Sequence, residues 1–242
     1  MISVTYAFSV ERVSSQAQSL KVSTAKQNIL SLDESILSTL WQPGSSSTYD
    51  LTDSGGTTNI QPTANVLTIS VDDGSAIQQT IFNASVGKII YELPYSPSAD
   101  LGLYLKGDER TIANQSGSST SQICIQNGAE HTEIQLCYRP SVTYSVAGLE
   151  DGRAVNNVRV YVVNLNSSDS ISVFGELPLE ISCTNTQLVS QDYESSSNQL
   201  TVTSVFNGAI GSVSIPISCS SEGALIHVET VVSDISIQRW IR

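Results

Sequence analysis

The side chains that could carry out acid–base chemistry near neutral pH are few in this sequence. It has 242 residues but only two histidines, and histidine is the side chain whose ordinary pKa lies nearest to pH 7. His131 follows an Asn-Gly turn signal and stands beside Glu130 and Glu133, whereas His227 alternates with apolar residues in the last strand-like segment. We predict that His131 lies in an exposed turn and His227 on a strand face, and we expect neither to be catalytic.

Acidic side chains occur at three turn-like positions that could supply oxygen ligands to calcium. These are Asp72-Asp73-Gly74, Asp108-Glu109 and Glu150-Asp151-Gly152. Calcium takes about six to eight oxygen ligands, and none of the three has the spacing of a calcium-binding loop. Because Asp-Gly pairs are common in turns, we predict ordinary turns and no metal site, with calcium binding as the alternative.

Motifs of several common enzyme classes are absent. The sequence lacks the Gly-x-Ser-x-Gly nucleophile elbow, the His-Glu-x-x-His zinc motif and the glycine-rich loops that bind phosphates or dinucleotides. A carboxylate pair for glycoside hydrolysis stays open, because the fold sets the distance between such carboxylates. We predict a protein that is not an enzyme, with no catalytic residue and no cofactor, and keep a hydrolase as a minor alternative.

The four cysteines lie in strand-like stretches without the C-x-x-C spacing of zinc or redox sites. Proximity favours disulfides between Cys124 and Cys137 and between Cys183 and Cys219, and free buried thiols are the alternative.

Three Asn-x-Ser/Thr sequons match the number expected by chance, so they permit glycosylation without indicating it. They begin at Asn83, Asn114 and Asn166.

The composition favours a structural or binding protein. Ser and Thr number 41 and 19, and 23 acidic residues against 11 basic ones give a net charge of −12. Without a Lys/Arg cluster the chain is poorly equipped to neutralise phosphates, so we expect no nucleic-acid partner. No apolar run approaches the length of a membrane span.

The elements that must position these side chains begin with one helix. Apolar residues recur at steps of three and four from Val10 to Trp41, which predicts a long amphipathic helix over residues 1–42, ended by Pro43 and Gly44. The alternative is two helices with a slight offset near Leu20 to Val22. Trp41 and Trp240 each end an apolar pattern and are expected to pack. The residues predicted for helix packing or assembly are Val13, Leu20, Ala25, Ile29, Leu32, Ile36, Leu40 and Trp41.

The rest of the chain is predicted to be a linker followed by strands. Residues 43–64 are rich in Ser, Thr and Gly and read as a linker or loop. Residues 65–242 contain about a dozen short apolar runs separated by turn signals, including a hairpin at Asn127-Gly128. The fold class expected is mainly β, with a long N-terminal helix followed by an antiparallel β-sandwich head. The alternative is a head of two lobes divided near residues 147–154.

The N-terminal segment carries a family resemblance. The Ser/Gln-rich helix Val13–Ile36, closing at Leu40-Trp-Gln-Pro-Gly-Ser45, resembles archaeal type IV pilin-like surface proteins made with a class III signal peptide. The resemblance is confined to the first 45 residues, and the processing site and most of the apolar helix of the family are missing. The opening residues Ile2–Val10 match the end of that apolar helix, so we expect an apolar segment upstream.

The resemblance implies a function and a location. It implies a structural protein outside the cytoplasm at the cell surface, a pilin or minor pilin whose helix mediates anchoring or filament assembly while the β head faces solvent. Its partners would be copies of itself or other pilin-like subunits, with a membrane anchor before assembly. The alternative is a surface-anchored module that binds carbohydrate or protein on a helical stalk.

Overall fold

The computed structural model describes residues 2–95, 100–114, 120–127 and 131–241, with the side chains of the first helix described at residue 13 and from residue 16 onward. This part of the chain forms one helix and two curled β-sheets. In chain order the elements are α1 (Ile2–Thr39), β1 (Ser46–Leu51), β2 (Thr57–Asp72), β3 (Gln78–Pro94), β4 (Tyr104–Lys106), β5 (Ala113–Asn114), β6 (Ser121–Asn127), β7 (His131–Tyr138), β8 (Ser141–Glu150), β9 (Arg153–Asn164), β10 (Ile171–Phe174), β11 (Leu177–Ser195), β12 (Gln199–Phe206), β13 (Ala209–Pro216) and β14 (Ala224–Arg239).

The helix has the predicted amphipathic character, but the part that packs on the sheets is shorter than the sequence suggests. The backbone of α1 is helical from Ile2, whereas the segment that packs as a helix on the sheets is Gln16–Thr39. Its buried stripe, Ala25, Ile29 and Leu32, repeats at three- and four-residue steps. The helix that packs on the sheets thus spans Gln16–Thr39, and the prediction of a long helix over residues 1–42 is wrong.

The helix ends through a left-handed residue rather than at the proline. Trp41 has a φ of 65°, a conformation that usually needs glycine at this position. Its ring meets the Tyr161 ring edge-on at a centroid distance of 5.2 Å, and the Ser45 hydroxyl donates to the Thr39 carbonyl at 2.8 Å. These contacts hold the turn that leads into β1.

The head is sandwich-like, as predicted, but its pairing is not wholly antiparallel. One sheet has the order β1-β11-β14-β9-β8-β5, and the other has the order β13-β12-β2-β3-β7-β6-β4 with β10 beside β2. The strands β9 and β14 run parallel, and so do β5 and β8. Parallel neighbours cannot be joined by a hairpin, so a prediction built on consecutive hairpins misses them.

Two hydrophobic clusters form the core, and long strands cross both of them. The first cluster contains the buried stripe of α1, and the second lies between β8, β9, β12 and the adjoining halves of β2 and β14. The strands β2, β3, β11 and β14 are 16 to 19 residues long and supply side chains to both clusters.

Several strands are longer than the apolar runs that predict them. The two runs predicted at Ile77–Phe82 and Lys88–Leu93 belong to one strand, β3. The residue between the two runs is Gly87. Glycine is required there because an added Cβ would lie only 2.8 Å from the Leu165 Cβ. The interval 43–64, predicted as a linker, contains β1 and the start of β2. The hairpin predicted at Asn127 is confirmed by the pairing of β6 with β7, and residues 128–130 lie outside the described residues.

Candidate functional site

The apolar stripe of the helix divides into a docked part and an exposed part. Ala25, Ile29 and Ile36 are fully buried against the sheets. Val13 and Leu20 belong to the same predicted set, yet they are 65% and 69% exposed. The structure therefore places these apolar side chains in two environments, one inside the head and one open to contact with another molecule. The remaining docked members of the set are Leu32, Leu40 and the half-buried Trp41.

A buried carboxylate on the helix ties the docked part to the sheet. Asp33 is fully buried and accepts hydrogen bonds from the Ser121 hydroxyl at 2.7 Å and the Tyr138 hydroxyl at 2.8 Å. The Lys106 ammonium reaches its other oxygen at 2.5 Å. Because a buried charge is costly unless it is paired and hydrogen-bonded, these three partners fix the helix in one position on the head.

Tyr138 is kept in its protonated form by this arrangement. Burial, followed by the charge of Asp33 and the hydrogen bond to it, raises the pKa of Tyr138 well above the usual value. The hydroxyl therefore stays a donor toward Asp33 at any physiological pH. Helical periodicity in the sequence identifies the apolar neighbours of Asp33 but gives no signal for Lys106, Ser121 or Tyr138.

A second polar contact joins the helix to the first strand. The Asn28 side-chain amide donates to the Thr52 carbonyl at 2.8 Å, and the Thr52 hydroxyl donates to the Asn28 amide oxygen at 3.0 Å. The Tyr49 hydroxyl donates to the Asn28 backbone carbonyl at 3.0 Å. Because all three bonds join Asn28 to the segment that includes β1, they fix the rotation of the helix about its own axis.

The helix leaves the head near Gln18. The Gln18 side chain donates to the Tyr95 carbonyl at 2.7 Å, and the Lys21 side chain lies over Gly55, where an added Cβ would come 3.0 Å from its Nζ. Beside this exit lies an open cleft of about 300 Å³, lined by Ala17, Gln18, Lys21, Val22, Leu93 and Pro94. The exposed Val13 lies beyond these contacts.

The acidic turn at Asp72-Asp73-Gly74 uses its carboxylates within the turn. The Asp73 side chain accepts hydrogen bonds from the backbone amides of Ser75 and Ile77 and from the Ser195 hydroxyl. Burial acts to raise the pKa of Asp73, but these hydrogen bonds outweigh it and hold the pKa well below its usual value. The carboxylate thus serves as a turn cap joined to the end of β11.

The other two acidic positions also carry structural contacts. Hydrogen bonds from Arg110 and then from Arg139 lower the pKa of Asp108, and the Arg139 side chain is fully buried beside it. Asp151 and Gly152 have φ values of 48° and 79°, the pattern of a two-residue hairpin turn between β8 and β9.

The two histidines both lie in strands. His131 begins β7 rather than lying in an exposed turn, and its Nε2 is 2.8 Å from Glu133 and 3.9 Å from Glu92. His227 lies on β14, as predicted, with its Nδ1 2.5 Å from Asp192. The Glu92 contact could not be found from sequence, because Glu92 lies on β3, far away along the chain.

The predicted disulfides are wrong, because all four cysteines are free thiols. Cys124 lies opposite Gln135 and Cys137 lies opposite Gln122, so the two cysteines are diagonal neighbours, which are too far apart for a disulfide. Cys183 is buried and Cys219 is exposed. Burial raises the pKa of Cys137 to about 12.

A second cleft lies where β14 ends. It has a volume of about 520 Å³ and is lined by Asp50, Glu176, Pro178, Arg239, Trp240 and Ile241. The Trp240 ring is half-buried, and its amide donates to the Pro178 carbonyl at 3.0 Å. A cleft lined by a tryptophan and charged side chains suits a polar ligand such as a sugar.

Two of the three sequons lie where a sugar could be attached. Asn83 on β3 and Asn166 in the turn after β9 are exposed. Asn114 is half-buried at the end of β5, and the rest of its sequon lies outside the described residues.

Within the described residues, no helix has the length and apolar character needed to cross a membrane. Comparisons with protein-family models, with curated proteins and with solved structures found no match.

Proposed function

We propose that this chain is a structural protein of the cell surface, without enzymatic activity, a pilin-like subunit located outside the cytoplasm. Its N-terminal helix anchors it or assembles it with copies of itself, and its β head faces solvent. The observation that carries this proposal is the divided stripe of the helix, with Ile29 buried in the head and Leu20 exposed. One helix thus has a face for its own head and apolar side chains left for a neighbour.

The energetics favour burial of the exposed apolar side chains. Moving a Val or Leu side chain from water to an apolar contact stabilises the contact by about 1.5–3 kcal/mol. The Asp33 and Asn28 contacts hold the packed segment of the helix in one position on the head. A helix that leaves every copy at the same angle can make the same head-to-tail contact repeatedly, which is how open filaments form.

The surface of the head suits exposure to solvent. The net charge of −12 favours a well-solvated surface. The exposed half of β11 is rich in polar residues, with Gln191 and Asp192 among them.

The test is to express the full coding sequence and to examine cells and purified material by electron microscopy for filaments. Leu20→Glu and Val13→Glu should abolish assembly while leaving the thermal unfolding temperature of the head unchanged. Leu149→Glu is the matched control, because Leu149 is also an exposed apolar residue but lies at the far β8–β9 turn. Filaments formed by both helix variants would refute the proposal.

A second candidate is a binding module for carbohydrate on a helical stalk, and the cleft at Trp240 favours it. In that case electron microscopy would show single anchored particles. Calorimetric titration with neutral oligosaccharides would detect binding that Trp240→Ala removes and Trp41→Ala retains. No binding to the wild-type chain, or equal binding by the Trp240 variant, would dismiss this candidate.

A further inference from the structure

Three potential metal ligands meet on the outer face of the eight-stranded sheet. Glu133 and His131 are two residues apart on β7, and Glu92 lies directly opposite Glu133 on β3. Alternate residues of a strand share a face, so the three side chains project to the same side. Their ligand atoms all lie within 4.8 Å of one another.

The two carboxylates face each other across neighbouring strands. Like charges directly opposite each other on neighbouring strands are destabilising. A protonated imidazole can balance only one of the two negative charges. Among the ion pairs found in residues 2–95, 100–114, 120–127 and 131–241, no lysine or arginine reaches Glu92 or Glu133.

The distances fit a small transition-metal ion. Zinc binds imidazole nitrogen and carboxylate oxygen at about 2.0–2.2 Å in tetrahedral geometry, so neighbouring ligand atoms lie about 3.3–3.6 Å apart. The Nε2 of His131 is 2.8 Å from Glu133 and 3.9 Å from Glu92, which brackets this spacing. Shifts of about half an ångström would bring each oxygen to this distance from Nε2, and the two oxygens lie within 4.8 Å of each other.

The surroundings already orient one ligand. The Gln135 side-chain amide donates to the second carboxylate oxygen of Glu133 at 2.7 Å, and contacts of this kind fix a ligand's direction in metal sites. The side chains of His131 and Glu92 are about one-third exposed, whereas Glu133 is less so. A fourth position would therefore face solvent and be filled by water or by a ligand from another molecule.

We propose that Glu92, His131 and Glu133 form a binding site for one zinc-type divalent ion. Imidazole with two carboxylates suits zinc better than calcium or magnesium, which prefer larger sets of oxygen ligands. The site is independent of the pilin-like function, since it lies on strands of the head rather than on the helix.

The test is calorimetric titration of zinc chloride into the full chain after treatment with a chelator, in a Cys219→Ser background that removes the exposed thiol. We expect one zinc ion per chain. His131→Ala and Glu133→Gln should abolish binding, and Gln135→Ala should weaken it about 10-fold. His227→Ala is the matched control and should bind like the parent, because His227 also pairs with a carboxylate but, among the residues that the structure describes, has no second one within reach.

A spectroscopic measurement keeps the test independent of variant stability. With two histidines in the chain, long-range ¹H–¹⁵N spectra contain two imidazole signal sets, and zinc should shift the Nε2 signal of His131 alone. The proposal is overturned if the parent binds no zinc, if the His227 signals move instead, or if His131→Ala binds zinc as the parent does.

Discussion

The hydrogen bonds to Asp33 predict a large loss of stability when its charge is removed. In Asp33→Asn the side chain keeps its size, but its NH₂ group is a donor and cannot accept the hydroxyl hydrogen bonds that Asp33 accepts. The Lys106 ammonium also loses its counter-charge. Removing one partner of a buried ion pair costs about 3–5 kcal/mol. Because the Lys106 side chain is 29% exposed, water can solvate it in part, and we expect the lower end, about 3 kcal/mol.

The assay is urea unfolding followed by the fluorescence of the two tryptophans, together with thermal unfolding. For a domain of this size 1 kcal/mol shifts Tm by about 2–4 °C, so Asp33→Asn should lower Tm by about 6–12 °C. The matched control is Asp100→Asn. Asp100 also pairs with a helix lysine, Lys26 at 3.0 Å, but is largely exposed, and exposed pairs contribute about 0–1 kcal/mol.

A double-mutant cycle separates the network from a general effect of substitution in the core. Tyr138→Phe removes one donor to Asp33, so its cost should shrink when Asp33 is already Asn. Residues in one hydrogen-bond network show coupling of about 0.5–3 kcal/mol. Additive losses, or an Asp33→Asn cost no greater than that of Asp100→Asn, would refute the reasoning.

Three further predictions concern acid, thiols and packing. Asp73 has a lowered pKa and thus stabilises the fold above the unfolded value of about 3.9. The free energy of unfolding should therefore fall as pH drops from about 5 to 2, and Asp73→Asn should flatten this dependence measured in urea. In a thiol titration of the native chain at about pH 8, where the thiolate is the reactive form, Cys219 should react first and Cys137 last. Ile29→Ala should cost about 2–5 kcal/mol in urea unfolding, whereas Leu20→Ala should cost less than about 0.5 kcal/mol.

The sequence predicts those parts of the molecule that local patterning controls. The stripe through Ile29 and Leu32 follows from helical periodicity, and the hairpin after Asn127 follows from its turn signal. The second half of β11 is missed because it is exposed and polar, so it lacks the alternation that marks a half-buried strand.

The candidate sites are harder to predict because their members are far apart along the chain. Asp33 meets Lys106, Ser121 and Tyr138 only after the sheet has formed, and Glu92 meets Glu133 through strand register. The disulfide prediction fails because strand register, rather than separation along the chain, sets which side chains face each other. Closeness in sequence suggested Cys124 and Cys137, but the register offsets them by two residues.

The four strands that cross both hydrophobic clusters limit how the head can be dissected. A cut between the clusters would sever β2, β3, β11 and β14 in mid-strand and leave unpaired backbone on both fragments. Neither half would be a useful truncation for crystallography or display. A peptide or domain to be displayed should instead be inserted at the tight turn of Asp151 and Gly152, which joins β8 to β9. Exposed turns of this kind tolerate inserted residues.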